Sequence, residues 1–262
     1  MLPHMQKLSA LIIAKNEEAM IRDCIQSVKF CDEIIVIDAA SVDKTAAIAK
    51  NLGAKVFEFT TDDFSKARNF AKLQAKGDWL LYVDADERVS KELMVQIKMM
   101  LAKPTGVSAY RVRRKNYYFK TFEWPTTERL ERLFKADSLK IWYGRLHESA
   151  RVDGRIGELD GFLLHFTHRD LSEMVSKTLV WSTAEAELRL RASHPKMASW
   201  RFFRVMITAF YSSYVKQAGW KVGVAGLVES MYQSYSAFVT YAKLWELQEG
   251  KQIAKKKSNY AQ

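Results

Sequence analysis

The chain has 262 residues, 48% of them hydrophobic and 27% charged, with 11 glycines, four prolines and two cysteines. A chain of that size buries a full core, and this composition excludes collagen-like, low-complexity and disulfide-stapled architectures. Lys and Arg number 41 against 30 Asp and Glu, a net charge of +11, and the excess is uneven: residues 191–262 carry eleven bases and three acids. Met1 to Lys7 lacks the apolar core of a signal peptide. Cys24 and Cys31 fall on and just beyond an apolar helix face, and read as reduced packing residues of a cytosolic protein.

Leu8 to Ala14 is an apolar run that stops at Lys15-Asn16-Glu17-Glu18, which reads as a buried strand ending in polar groups. Helical spacing follows over Ala19 to Val28, with Met20, Ile21, Cys24, Ile25 and Val28 on one face. Glu33 to Ile37 is a second strand and stops at Asp38. Ser41 to Thr45 opens a helix that runs through Asn51, and Gly53 closes it as a helix C-terminus prefers. Lys55 to Phe59 is a third strand, Phe64 to Lys76 a helix, and Trp79 to Val83 a fourth strand. Such alternation predicts an α/β fold with a mainly parallel sheet, right-handed crossovers and helices on both faces. Three strand ends then converge on one sheet edge, carrying Asn16 with Glu17, Asp38, and Asp84 with Asp86.

That edge is where open α/β sheets bind ligands. Asp84 and Asp86 repel each other unless a cation sits between them, and a hard divalent ion carrying a diphosphate answers that need. No Gly-x-Gly-x-x-Gly follows the first strand and no Gly-x-x-x-x-Gly-Lys-Ser/Thr occurs, so the dinucleotide and P-loop readings lose their support. A metal on Asp86, assisted by Lys15, Arg68 or Arg88, neutralises the diphosphate instead. By residue type alone, Lys15 and Arg68 read equally as solvated helix faces.

Four segments carry a family resemblance: Leu-Ile-Ile-Ala-Lys-Asn-Glu-Glu at 11–18, Glu-Ile-Ile-Val-Ile-Asp-Ala-Ala-Ser-Val-Asp-Lys-Thr at 33–45, Ala-Arg-Asn at 67–69 and Val-Asp-Ala-Asp-Glu-Arg at 83–88. They resemble family 2 glycosyltransferases, and Arg132-Leu133-Phe134 with Leu146-His147-Glu148 resembles the subgroup that includes the lipopolysaccharide core β-1,4-glucosyltransferases. The resemblance implies a nucleotide-diphospho-sugar transferase fold of the A type, inverting transfer, a UDP-sugar donor and a divalent metal, Mn2+ or Mg2+. It places Ala14, Asn16, Glu17 and Asp38 at the nucleoside, with Asp38 accepting from the base imide and Glu17 near the ribose. Asp84 goes to the ribose or the metal's water shell, Asp86 to the metal, and Arg68 and Arg88 to the phosphates. Glu148 becomes the base that deprotonates the acceptor hydroxyl, with His147 orienting it or the acceptor. His165, after the strand-like run Gly161 to Leu164, becomes a further metal ligand, and neutral imidazole suits Mn2+ better than Mg2+. One departure is Ala39-Ala40 where the family shows Ser-Gly, and alanine narrows the backbone options of that turn.

Ala109 to Lys120 interleaves aromatics with cations and has strand propensity, and Phe122, Trp124 and Pro125 read as a loop; together they suit an acceptor sugar, and equally an edge strand protected by charge. The same pattern suits nucleic acid, but the carboxylate-rich edge repels a phosphate backbone, so no nucleic acid partner is expected. Residues 1–170 form the catalytic domain and 171–262 a basic, aromatic-rich helical extension. Trp200, Phe202, Phe203, Met206, Ile207, Phe210, Tyr211 and Tyr214 among Arg201, Arg204 and Lys216 compose an interfacial helix, which predicts peripheral contact with an anionic membrane surface on the cytoplasmic face or, alternatively, packing of these helices on each other or a homodimer. The functional expectation is transfer of a hexose, glucose by family, to a lipid-linked saccharide such as lipopolysaccharide core heptose. A polyprenyl-linked acceptor and a non-catalytic saccharide-binding protein on the same scaffold are the alternatives.

Overall fold

The structure, a computed structural model, describes residues 6–61, 63–103, 106–144 and 148–259, with side chains through residue 250. One compact unit comprises residues 1–116 with 127–166; the other comprises 117–126 with 167–262. The expected A-type fold is the one observed. Its strands are β1 (Leu8–Ala14), β2 (Glu33–Asp38), β3 (Lys55–Glu58), β4 (Trp79–Asp84), β5 (Glu87–Val89), β6 (Ala109–Tyr118), β7 (Phe122–Lys135), β8 (Leu139–Tyr143), β9 (Ser149–Val152) and β10 (Ile156–Phe166). Eight form one sheet in the order β3-β2-β1-β4-β7-β6-β10-β5, and β8 pairs with β9. The first four are parallel, whereas β7 joins β4, and β10 joins β5, antiparallel.

The period of two along each central strand divides the core. Leu8, Ala10, Ile12 and Ala14 of β1, with Trp79, Leu81 and Val83 of β4, face α1 (Ile21–Ser27), α2 (Thr45–Asn51) and α4 (Lys91–Leu101). Leu11, Ile13, Leu80 and Tyr82 point to the opposite face, against α3 (Phe64–Gln74) and Trp142 of β8. Apolar runs buried on both faces are what a parallel sheet requires. Caps set the helix starts: Asp63 accepts from Ser65 N and Lys66 N at the head of α3, and Ser90 from Leu93 N at the head of α4. Register brings Ala14 beside Asp38, and Ile13 beside Asp84, at one end of the sheet.

Two features depart from the expected elements. Phe122 to Pro125, expected as a loop, begins the 14-residue strand β7, and Trp124 is 2% exposed, its Nε1 donating to Gln217 Oε1 at 3.1 Å. Its ring is therefore closed to a sugar. Helix α4 and β5 also lie where no element was expected, and they brace the site: Ser90 N donates to Phe162 O at 3.0 Å, and Phe162 N to Ser90 Oγ at 3.3 Å. That approach needs Gly161, because a Cβ there would fall 2.4 Å from Leu93 Cα.

The second unit is helical: α5 (Leu171–Arg191), α6 (Ser199–Tyr211), a π-turn at Ser212–Lys216, a 3-10 turn at Gly219–Val222, and α7 (Val224–Asn259). Thr178 and Tyr232, 2.5 Å apart, tie α5 to α7, and Ser234 Oγ donates to Met206 O at 3.0 Å to tie α7 to α6. Among the described residues no helix is long and apolar enough to cross a membrane.

Candidate active site

The loops after β1 and β2 are stitched together. Asn16 N donates to Ser41 Oγ at 2.9 Å, Val42 N to Asn16 Oδ1 at 2.8 Å, Glu17 N to Thr45 Oγ1 at 2.8 Å and Glu18 N to Asp43 Oδ2 at 3.0 Å. Asn16 and Ala40 both adopt left-handed backbone, with φ of 55° and 59°. Asparagine tolerates this; alanine does so at a cost of about 1–2 kcal/mol. Between the loops, Asp38 is 6% exposed. Its Oδ2 accepts from Ser41 N at 3.2 Å, while Oδ1 is buried with no hydrogen-bond partner among the described residues. A buried acceptor left unmade costs about 1–3 kcal/mol, which a ligand donor would recover.

Asp84 leaves β4 at the middle of the edge and meets two guanidiniums. Arg68 Nη2 donates to its Oδ1 at 2.8 Å and Arg132 Nη2 to its Oδ2 at 2.7 Å. Loss of water around Asp84 by itself raises its carboxyl, but Arg132 and Arg68 outweigh that and hold it well below the ordinary carboxylate range. Arg132 Nη2 also reaches Glu87 Oε1 at 2.9 Å. Glu87 is fully buried; it takes Arg114 Nη1 at 3.3 Å, and its Oε2 accepts from Asp84 N at 3.0 Å. Charges survive such burial only in alternating, hydrogen-bonded arrays.

Arg68 carries the array to Glu148, whose Oε1 accepts from Nε at 2.9 Å and lies 2.8 Å from Nη2. Its guanidinium lies over the Trp142 ring at 5.0 Å. Asn69, next on α3, brackets Trp142: Oδ1 accepts from Trp142 N at 2.9 Å and Nδ2 donates to Trp142 O at 2.8 Å. Two consecutive residues of one helix thus fix β8 and the carboxylate beyond it.

A second corner forms where β10 ends. His165 Nε2 lies 3.3 Å from Asp86 Oδ2, and Phe166 N donates to Asp86 O at 3.0 Å. The other ring nitrogen, Nδ1, donates to Asn116 Oδ1 at 2.8 Å, with the Asn116 amide nitrogen turned to Glu128 Oε1 at 3.5 Å. Burial alone would lower the His165 pKa, but the Asp86 carboxylate outweighs burial and raises it.

A sequence model described as glycosyl transferase family 2 matches residues 9–152, the span holding Asp38, Asp84, Asp86 and Glu148. The chain belongs to glycosyl transferase family 2. It is 29% identical to the lipopolysaccharide core biosynthesis glycosyltransferase LpsC of Rhizobium meliloti (strain 1021) over 252 residues, 91% of this chain and 92% of that one. Among solved structures it is similar to S. aureus TarS 1-349 in complex with UDP-GlcNAc, with a TM-score of 0.49 and 14% identity over 95% of this chain and 92% of that one. It is also similar to glucosyl-3-phosphoglycerate synthase from Mycobacterium tuberculosis in complex with Mn2+, UDP and glucosyl-3-phosphoglycerate, with a TM-score of 0.44 and 19% identity over 73% of this chain and 81% of that one.

In this family 2 transferase the expected residues fall into three groups. Ala14, Asn16, Glu17 and Asp38 share the ends of β1 and β2. Arg68, Asp84 and Glu148 form one ion-paired cluster, and Asp86 meets His165. Arg88 stands apart: its guanidinium donates to the carbonyls of Ala85, Glu87 and Met20, tying loops rather than facing outward. His147 lies outside the described residues. Glu87 and Arg132 enter from the sequence only as parts of motifs, and Arg114 and Asn116 only within the aromatic and basic run, none with a role of its own. The carboxylate following Asp84-x-Asp86 is the one local signal for Glu87; the others come from strands that meet β4 and β10 only in the folded sheet.

Proposed function

We propose that this transferase moves a hexose, glucose by resemblance, from a UDP-sugar to a lipid-linked saccharide such as lipopolysaccharide core heptose, with inversion at the anomeric carbon. The observation that carries the reading is Asp38 Oδ1, a buried carboxylate oxygen with no partner among the described residues at the ligand-binding edge of a parallel sheet. A uracil imide N–H supplies the donor that it lacks. Ala14, Asn16 and Glu17 line the nucleoside beside it, and Asp84, kept ionised by its two arginines, meets the ribose or the metal's water shell.

Asp86 and His165 would hold the divalent metal, Mn2+ or Mg2+. Their facing atoms lie 3.3 Å apart, and a carboxylate and an imidazole together form a donor set that would suit such an ion. The Nδ1–H bond to Asn116 leaves the Nε2 lone pair for that purpose. When bound there, a divalent ion would supply charge neutralisation for the diphosphate.

At the reacting centre the acceptor hydroxyl oxygen bonds to the anomeric carbon as the bond to the diphosphate breaks, and UDP leaves with the electron pair. Glu148 takes the hydroxyl proton. Arg68 fixes that carboxylate relative to Asp84, since both bond to one guanidinium. His147, by resemblance, orients the acceptor. The relation to LpsC supports an acceptor of the lipopolysaccharide core class, and the same reading has the enzyme meet a soluble donor at the cytoplasmic face of a membrane.

Calorimetric titration with UDP, UDP-glucose and GDP, each with Mn2+ and with EDTA, tests the donor site. Metal-dependent binding of the uridine ligands alone is the expected result. Absence of nucleotide binding would overturn the reading in favour of a saccharide-binding protein.

A further inference from the structure

We propose that α6 and the two turns after it, residues 199–222, form a docking surface for an anionic lipid bilayer. Helix α6 has no buried residue at all. Trp200, Phe203, Ile207 and Tyr211 recur along it at helical spacing and are 55%, 69%, 67% and 49% exposed, and Val215 and Trp220 extend the exposed set into the turns. A large aromatic and aliphatic stripe open to solvent marks a contact with something else.

The charges beside the stripe identify the contact. From Leu188 to Val228, 41 residues contain no Asp or Glu. Among the described residues Arg201, Arg204, Lys216 and Lys221 have no ion pair; each instead lies near an aromatic ring of the same segment. Arg201 and Arg204 sit over Trp200 at 4.8 and 5.5 Å, Lys216 over Tyr211 at 5.9 Å and Lys221 over Trp220 at 5.5 Å. A second copy docking this face on itself would bring the same four cations together, as an isologous contact requires. The buried centre of a protein interface is also depleted in charge. A headgroup layer accepts both components: Trp and Tyr settle at its depth, and Arg and Lys stems reach out to anionic phosphates. The surface belongs wholly to the helical unit and does not rest on the transferase reading.

The test is cosedimentation of the full chain with phosphatidylcholine vesicles, with and without phosphatidylglycerol, at low and high salt. Binding that requires phosphatidylglycerol, weakens with salt, and falls about fivefold for each cation removed by Arg201→Gln, Arg204→Gln, Lys216→Gln and Lys221→Gln is expected. Brominated acyl chains should quench the tryptophan fluorescence of the unmodified protein, a readout that needs no variant. Phe203→Ser with Ile207→Ser should lower vesicle binding while the near-UV circular dichroism stays as it was. Equal binding to neutral vesicles, unchanged binding by the four-cation variant, or absence of bromine quenching would overturn the proposal. A concentration-dependent dimer that protects tryptophan from iodide would overturn it in favour of a second copy. Glu148→Gln should bind vesicles as the unmodified chain does, so loss of transfer leaves this surface intact.

Discussion

The α/β unit and the helical unit break the ordinary rule of burial in opposite directions. In the first, Glu87, Arg68 and Arg132 are buried charges, arranged with Asp84 and Glu148 so that each carboxylate meets a guanidinium. In the second, Trp200, Phe203 and Ile207 are exposed apolar side chains with unpaired cations between them. Both exceptions are costly in an isolated folded chain, one through desolvation and the other through hydration of apolar surface. Under the two proposals above, the contrast has one meaning: buried charge preorganises a site for a polar ligand, and exposed hydrophobicity prepares a face for a lipid layer.

The sharpest way to break the comparison is at Glu148. Glu148→Gln should reduce turnover by about 10²–10⁴-fold while calorimetric affinity for UDP stays within the error of the measurement; near-full activity would remove Glu148 as the base. Next in size is Arg132→Met, which leaves Asp84 with Arg68 alone and Glu87 with the longer contact to Arg114 alone. A loss of about 3–5 kcal/mol in denaturant unfolding is expected, and a neutral result would mean that the array is dispensable to the fold.

A pair of apolar truncations compares the units directly. Leu81→Ala, in the fully buried middle of β4, should cost about 2–5 kcal/mol. Phe203→Ser on α6 should change stability by less than about 0.5 kcal/mol in the absence of lipid. Similar losses at both positions would show α6 to be core rather than surface.

Smaller still is Ala40→Gly. Relief of the left-handed backbone at φ 59° recovers about 1–2 kcal/mol, and the greater freedom of unfolded glycine offsets about 0.5–1 of it. A net gain of up to about 1.5 kcal/mol should appear in the same unfolding experiment.

The smallest effect concerns Glu173 on α5, which Arg169 contacts through Nε at 2.8 Å and Lys177 through Nζ at 2.8 Å. Partial burial opposes ionisation, but these two cations outweigh it and push the carboxyl down to about 2. Because its folded pKa lies below the unfolded one, its contribution is present above the ordinary glutamate range and is lost as pH falls towards about 2. Glu173→Gln should therefore lower neutral stability by no more than about 1 kcal/mol, as suits a partly exposed ion pair, and flatten the acid limb of the helical unit's stability below about pH 4.5.

Local chemistry in the chain determined the first half of the α/β unit. Runs such as Leu8 to Ala14, with Ser9 its one polar position, and Trp79 to Val83 are apolar on both faces, as a strand buried on both sides requires; the polar residue ending each run marks the sheet edge where open α/β folds bind ligands. The expected strands at 8–14, 33–37 and 79–83 differ from the observed ones by at most a residue at one end. Patterning also marked α6 as amphipathic, because its aromatics and cations recur within a few turns of one helix.

Tertiary structure alone decided what those features meet. Arg68 and Glu148 are 80 residues apart and Asp86 and His165 are 79 apart, and no periodicity encodes which side chains antiparallel β7 and β10 bring to the parallel strands. Trp124, read as part of a loop from the sequence, is buried because it packs within the helical unit against Gly219, where a Cβ would fall 2.7 Å from its ring. Likewise the unpartnered Oδ1 of Asp38 exists only because two loops close around it. Hydrophobic pattern specifies which segments are buried, being a property of adjacent residues; partner choice among buried charges depends on distances that only the closed sheet sets.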